Sequence, residues 1–359
     1  MNNKSLVLAG GLLVCAYASS AQAIDFKPQL NGVVSFEVQN DWTFDADDSD
    51  AEVNALYGTI EPYFILSFNE RIALEASLVF ETVRDADPGE NWEFGDEGLY
   101  AEELKLSYTG NNFTVYGGKF NPAFGSAWDM APGLYGDELI DYELKERLGF
   151  GGQYMLDTEN AGHHTLTATT FFLDTSFLSE SEVTHRGRAE KSDGGMSNTE
   201  DLSSYTITLD SEWVGHVDGL NTHIGYYKQK AGDADTGLDD EHAFAIGANY
   251  TFDLTDDIET MVIGEWATIR NFEGDNVDAT YYTAGIGFGL YENWNLGMSY
   301  TRRDKDVQGG SDIDDDLFQI SGGYAFENGI TFDVGYMYKE DDNEKSNTLG
   351  ALVGYSFEF

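Results

Sequence analysis

From Ile24 to Phe359 one pattern repeats: segments of about ten to fifteen residues in which apolar and polar side chains alternate, each followed by a connection rich in Gly, Asn and Asp. A period of two places successive side chains on opposite faces of an extended chain, so these segments read as strands. Residues 53–69 set Leu56, Ile60, Phe64, Leu66 and Phe68 against Tyr57, Thr59, Glu61, Tyr63 and Ser67. Residues 70–83 set Ile72, Leu74, Ala76, Leu78 and Phe80 against Glu75, Ser77 and Glu81, and residues 329–340 repeat the alternation from Ile330 to Lys339. Sixteen such segments can be counted. Alternation alone fits a sandwich, whose apolar face turns to a core, as well as a barrel, whose apolar face turns to lipid.

The connections separate the two. Seven short links, at 69–70, 110–112, 157–162, 215–219, 253–257, 291–293 and 327–329, alternate with eight longer, acidic ones at 40–52, 84–97, 121–140, 174–201, 231–240, 272–277, 304–316 and 340–347. An up-and-down barrel with both termini on the periplasmic side requires that order, with short turns on one side and long loops on the other. A Greek-key sandwich has no reason to keep it. The expected fold is therefore all-β, a transmembrane antiparallel up-and-down β-barrel of about 16 strands over residues 24–359. Sixteen strands enclose an aqueous lumen rather than a packed interior, and the strands leave no residues for a separate plug domain.

Other features agree with a barrel. Residues 1–23 read as a cleaved signal peptide: Lys4, an apolar run from Leu6 to Ala18, then Ala21-Gln22-Ala23. The single cysteine, Cys15, falls within it, and the Val14 before it departs from a lipoprotein signal. No later stretch has the roughly 18 apolar residues of a membrane helix, whereas a barrel faces lipid with only every second residue. Gly (40), Tyr (21) and Phe (23) are abundant and Pro (5) is scarce, which suits long strands with aromatic girdles. A formal charge of −46, from 19 basic and 65 acidic side chains, excludes nucleic acid as a partner.

Enzyme chemistry has no foothold. The histidines (His163, His164, His185, His216, His223 and His242) show no H-E-x-x-H spacing and no G-x-S-x-G is present, so no catalytic residue and no cofactor is expected. His223 falls on the lumen parity, where a polar lining role is expected. Asp45, Asp47, Asp48 and Asp50, and a second acidic stretch of Asp312, Asp314, Asp315 and Asp316, could offer oxygen ligands to calcium, but neither has the glycine and terminal glutamate spacing of an EF-hand loop. Solvated external loops are the expected reading, with divalent bridging to lipopolysaccharide as a lesser one.

The last segment, Leu349 to Phe359 with Tyr355, Phe357 and Phe359 alternating, resembles the terminal strand of Gram-negative outer-membrane barrels. The resemblance implies that these three residues signal to the barrel-assembly machinery. It extends in architecture to the general bacterial porins, which have sixteen strands, assemble as trimers and fold their third external loop into the pore. Here the third long connection carries Trp128, Asp129, Tyr135, Asp137 and Glu138, which the resemblance makes the pore constriction over 121–140. The stretch Gly118 to Gly125 is also similar to a turn of some substrate-selective porins, including phosphate-selective ones, but the acidic charge departs from an anion channel.

On the non-lipid parity fall Glu37, Glu61, Glu75, Glu81, Glu103, Glu143, Glu259, Glu265 and Asp333, with Lys105, Lys145, Arg147, Arg303 and Lys339 as the basic residues. Of these, Glu61, Glu75, Glu103, Lys105, Glu143, Lys145 and Arg147 are the expected pore lining near the third loop. The functional expectation is an outer-membrane channel for passive diffusion of small hydrophilic solutes, mildly cation-preferring and homotrimeric, in contact with outer-membrane lipid and lipopolysaccharide. The alternative is a barrel acting as adhesin, receptor or structural anchor through its acidic external loops.

Overall fold

The computed structural model describes residues 26–84, 87–158, 161–232, 234 and 237–359; the expected signal peptide lies outside the described residues. Sixteen barrel strands follow in chain order among them: β1 Gln29–Ala46, β2 Asn54–Ser67, β3 Ile72–Thr82, β4 Glu97–Thr109, β5 Phe113–Phe120, β6 Arg147–Thr158, β7 Gly162–Leu173 and β8 Ser204–Glu212. They continue with β9 Leu220–Gln229, β10 Glu241–Thr255, β11 Ile258–Arg270, β12 Val277–Leu290, β13 Trp294–Val307, β14 Ile313–Ala325, β15 Ile330–Asp341 and β16 Glu344–Glu358. Each runs antiparallel to its predecessor, and β1 pairs with both β2 and β16, so the sheet closes. Closure leaves the sheet without an edge strand, the condition for a β-structure in lipid.

The expected barrel is thus what the chain forms, and β13 shows why its alternation works. Trp294, Leu296, Met298 and Tyr300 point outward and are exposed, whereas Ser299, Thr301 and Arg303 point inward and are buried. The outward face turns charged at Arg302, which pairs with Asp304 (2.5 Å) and Asp314 (2.8 Å). From Trp294 to Tyr300 is about 20 Å along a strand at ~3.3 Å per residue, the stretch that faces hydrocarbon. At the short-turn end, outward rings pack on one another: Trp294 with Tyr324, Tyr324 with Phe326, Tyr250 with Phe252, and Tyr108 with Phe113. They form a girdle at the depth where amphipathic rings are most favourable.

Four connections differ from the sequence reading, and the first, expected over 40–52, shortens because β1 continues to Ala46. The last external connection, expected over 340–347, is a two-residue turn at Asp342 and Asn343, both with positive φ (50° and 67°). Two left-handed residues match the twist of a hairpin, so the strands run on through residues that look loop-like by charge. The connection expected over 304–316 likewise shrinks, because β13 continues to Val307 and β14 begins at Ile313. The third connection is longer than expected: β6 starts at Arg147, and Glu143 and Lys145 belong to the loop rather than to a strand.

The interior holds more protein than alternation suggests. A cluster of buried residues, among them Phe124, Ala127, Ile140 and Tyr142 from loop 121–146 and Tyr227, Ala245, Ile263, Ala267, Ile269 and Tyr281 from β9–β12, forms an apolar core inside the barrel. A second, smaller one joins Tyr135 and Leu139 of the loop to Leu317 of β14 and Met337 of β15.

Candidate functional site

The third external loop leaves the wall at Phe120 and lies along the inside of the barrel. Its first fixed point is Gly125, whose N–H donates to Nε2 of His223 on β9 (3.0 Å). Because Nε2 accepts there, the proton of the neutral imidazole sits on Nδ1 and is donated to Asp210 on β8 (2.6 Å). A single turn of helix, α1 (Ala127–Met130), follows, and Glu265 of β11 gathers its start. Oε2 of Glu265 accepts the N–H of Ser126 (2.8 Å) and its hydroxyl (2.6 Å), while Oε1 accepts the N–H of Ala127 (3.1 Å) and the hydroxyl of Tyr142 (2.5 Å). One buried carboxylate thereby holds both the outgoing and the returning limb of the loop.

Past the helix the loop runs along β13–β16 to β1. Pro132 accepts a hydrogen bond from the Gln319 amide, and the Leu134 N–H donates to Ser321 (3.2 Å). The backbone lies so flat here that only glycines fit: a Cβ on Gly297 would stand 2.9 Å from the backbone nitrogen of Gly133, and Gly133 itself has φ +119°. Tyr135 then donates to Asp41 on β1 (2.5 Å), which also accepts from Tyr57 on β2 (2.5 Å). The returning limb is fixed by Asp141, which accepts from Tyr281 and pairs with Arg303 (2.6 Å).

The expected constriction residues therefore occupy two places on one loop. Trp128 and Asp129 sit on the short helix over β10 and β11; Trp128 is half-buried, with its indole N–H turned back to the Phe124 carbonyl (3.0 Å), and Asp129 is exposed. Tyr135 is buried at the opposite wall, whereas Asp137 and Glu138 are exposed, and Glu138 pairs with Lys339 (3.4 Å). Asp129 is open to water yet ringed by protein. This incomplete hydration, with the charge of Glu143, pushes its carboxyl up to about 6. Incomplete hydration among the surrounding protein also pushes Asp137 upward.

Across the lumen, β1–β4 present the carboxylates. Glu75 accepts from Ser107 (2.7 Å) and Tyr63 (3.3 Å), and Lys105 lies between Glu103 (2.8 Å) and Glu75 (3.5 Å). Tyr100 donates to Glu81 (2.6 Å). Strict alternation misses Glu102. The register between β3 and β4 slips between Ser77 and Leu78, a bulge that turns Glu102 inward beside Glu103; both accept from Asn121 at the loop's start, at 3.1 and 2.9 Å. Lys145 and Glu143 pair within the loop (2.8 Å), and Arg147 opens β6 beside them. Nearby protein costs the exposed Lys145 some hydration, yet Glu143, Glu102 and Glu81 favour its charged form and hold its pKa above the usual. Lys105 and Lys145 are thus paired with carboxylates locally, whereas Arg147 bonds to the Lys145 carbonyl and to Gln229.

A second loop seals the wall where the third departs. Lys119 on β5 is wholly buried and touches Glu146 (2.7 Å), Asp174 (2.9 Å) and the Leu178 carbonyl (2.8 Å), joining loop 121–146 to loop 174–203. The short strand Glu182–Val183 pairs with Gly98 and Leu99, covering the β4 edge left bare above Phe120. Asp45, Asp47, Asp48 and Asp50 are not gathered around a common point: Asp48 caps a helical turn (3.0 Å to Asp50 N–H), Asp47 accepts from the Lys345 N–H (3.1 Å) and Asp45 from Asn347 (3.1 Å). Asp315, Asp341 and Asp342 do converge among the described residues, around Arg303 and Lys305.

A closed sixteen-stranded barrel with an aromatic girdle and a loop folded against its inner wall defines the class of outer-membrane channels. The sequence model of the Gram-negative porins matches residues 9–356, and the chain belongs to that family, which is one of channels and not of enzymes. A comparison with curated proteins finds no match. Among solved structures it is similar to the outer membrane channel DcaP of Acinetobacter baumannii (14% identity, covering 96% of this chain and 100% of that one, TM-score 0.57). It is also similar to OprB of Pseudomonas putida (12%, 92% and 94%, 0.63) and to the trimer form of OmpT, an outer membrane protein of Vibrio cholerae (13%, 92% and 99%, 0.54). At these identities the likeness is one of fold.

Proposed function

We propose that this porin is a diffusion channel for small hydrophilic solutes, narrowed by loop 121–146 and mildly cation-preferring. The observation that carries the reading is the charge facing that loop. Glu61, Glu75, Glu81, Glu102 and Glu103 stand on β2–β4 with Lys105 among them and Lys145 of the loop facing them, and Asp129 and Asp137 are open on the loop itself. Fixed carboxylates in a water-filled lumen raise the local cation concentration, within the ~8–10 Å over which salt screens them. Reversal potentials of single channels in a potassium chloride gradient test this: a potential of cation-selective sign supports it, and clear anion selectivity overturns it.

The apolar core between loop and wall supports a fixed narrowing rather than a swinging lid, since several buried rings and aliphatic side chains, each worth about 1.5–3 kcal/mol, hold the loop down. Export through a cleaved signal at 1–23, recognition of Tyr355, Phe357 and Phe359 by the assembly machinery, and contact with lipopolysaccharide complete the proposal. All three aromatic residues are on or just beyond β16, exposed and outward; Phe357 stacks on Phe36 and Phe359 meets Phe64. The trimer form of OmpT supports a homotrimer, which cross-linking in the membrane would test.

A further inference from the structure

The returning limb of loop 121–146 and the long loop 174–203 together border an open cavity of about 520 Å³ at the external end of the barrel. Its lining includes Lys145, Arg147, Arg186 and Arg188, four basic residues of the 19 in a chain of net charge −46. Glu146, Asp174 and Asp193 line it too, but they are engaged. Glu146 receives two guanidinium nitrogens of Arg186 (2.9 and 2.5 Å) and the ammonium of Lys119 (2.7 Å). Asp174 lies 2.9 Å from that same ammonium, and Asp193 accepts the Glu190 N–H (2.8 Å).

Arg147 and Arg188 are different. Arg147 donates to the Lys145 carbonyl (2.7 Å) and to Gln229 (3.4 Å), while its Nε is buried with no acceptor among the described residues. Arg188 donates Nε and one terminal nitrogen to the Thr175 carbonyl (2.8 and 2.5 Å). Neither has a carboxylate in ion-pair reach among the described residues, although acids outnumber bases more than threefold in the chain. The Nε of Arg147 is sealed from the pocket, so this guanidinium acts on a solute there through its uncompensated positive charge and its terminal nitrogens.

We infer that this cavity is a binding site for a small organic carboxylate, held by Arg147 and Arg188. One terminal nitrogen of Arg188 makes no hydrogen bond among the described residues, and a guanidinium donor to a carboxylate makes a strong, charge-assisted hydrogen bond. Glu146, Asp174 and Asp193 in the same walls favour a singly charged, planar group over a dense dianion such as phosphate, because each added negative charge meets theirs at short range. Leu173 and Ala189 give the solute's carbon skeleton an apolar contact, and the volume is within the ~300–1,000 Å³ of small-molecule sites. The site lies on the external side of the narrowing, so it would collect an anionic solute that the acidic lumen repels.

The inference uses the diffusion-channel reading only for its second assay, so the two can fail separately. The first assay is saturation-transfer NMR of benzoate with the detergent-solubilised barrel, which needs no conduction. The expected result is a saturable signal whose half-saturation concentration rises at least tenfold in the double variant Arg147→Gln/Arg188→Gln, with an unchanged heat-modifiable gel shift showing a folded barrel. Inorganic phosphate is expected to compete at least tenfold less well than acetate. An unchanged half-saturation in the folded double variant overturns the site, and equal competition by phosphate overturns the carboxylate class. Should the double variant not fold, the exposed Arg188→Gln alone is expected to weaken binding at least threefold, and no change overturns the role of Arg188. In the second assay, external benzoate lowers the potassium chloride conductance of wild-type single channels and not that of the variant; channels that conduct but ignore benzoate sink the inference and leave the channel reading standing.

Discussion

The hydroxyl of Tyr135 donates to the carboxylate of Asp41 over 2.5 Å, joining the far end of the third external loop to the first strand of the barrel. The second oxygen of Asp41 accepts from Tyr57, and the tyrosine ring lies directly over Gly350, where a Cβ would stand 1.8 Å from its hydroxyl. Asp41 was not among the candidate pore residues, yet it is the terminus on which the loop's crossing of the lumen ends.

Tyr135→Phe removes the donor and leaves the ring, so the apolar contacts with Leu139, Leu317 and Met337 persist. A hydrogen bond to a charged group is worth about 1.5–3 kcal/mol. Its loss is expected to free the loop's far end without unfolding the barrel. Single-channel recordings should show more frequent transitions between conductance levels at unchanged heat-modifiability. Gly350→Ala, which displaces the ring instead, should produce the same noise. A quiet channel in both variants would show that the apolar contacts alone fix the loop.

The other end of the crossing depends on Glu265. Glu265→Ala removes the acceptor of four donors, two of them backbone N–H groups at the start of α1, and leaves them in a largely buried place. Unsatisfied buried donors cost about 1–3 kcal/mol each. Amide exchange over 124–131 is expected to accelerate on the order of a hundredfold, the equivalent of ~3 kcal/mol, while the strand amides keep their protection. Acceleration spread evenly over the whole chain would instead assign Glu265 a role in barrel stability.

Much of this fold is legible in the sequence because each strand shows lipid on one side and water on the other, which writes a period of two into residues such as Trp294, Leu296, Met298 and Tyr300. What alternation cannot show is the loop lying within. Where Phe124 and Tyr142 cover the inner wall, the inward positions Ile263, Ala267, Ile269 and Tyr281 are as apolar as the outward ones. The run from Met261 to Ile269 therefore loses its alternation and reads as a strand buried on both faces. That loss of contrast was the available signal for the loop's resting place. The bulge at Glu102 left none, since two adjacent glutamates look the same whichever one slips. Similarly, Asp342 and Asn343 read as loop by charge, and only their left-handed backbone makes them a hairpin.

A pH dependence follows from Asp129, whose carboxyl is pushed up to about 6 by incomplete hydration and by the charge of Glu143. Above that value it is ionised and adds a negative charge to the open face of the loop; below it, the charge is gone. Cation preference is therefore expected to fall as the pH drops from 7.5 to 5, with a step centred near 6 in the reversal potential. Asp129→Asn should lower the cation preference at neutral pH and shrink the step. A midpoint near 4, or a step of unchanged size in the variant, would move the titration to other carboxylates.

Lys119 is the bond between the barrel and its sealing loop. It is wholly buried, and its ammonium is shared between Glu146 and Asp174. Lys119→Met keeps most of the side-chain volume but strands these carboxylates without their buried partner. Breaking a buried pair on one side costs about 3–5 kcal/mol. Glu146 retains Arg186 at 2.5 Å, which offsets part of that cost, so the loss should fall chiefly on loop 174–203 and its strand Glu182–Val183. Limited proteolysis of the folded barrel is expected to cut within 174–203 at least tenfold faster in the variant. Adding Asp174→Asn should recover part of the protection, because it removes the stranded charge rather than restoring the ion pair. If cleavage in the single variant is no faster than in the wild type, the Gly98–Val183 and Leu99–Glu182 pairings hold the seal by themselves.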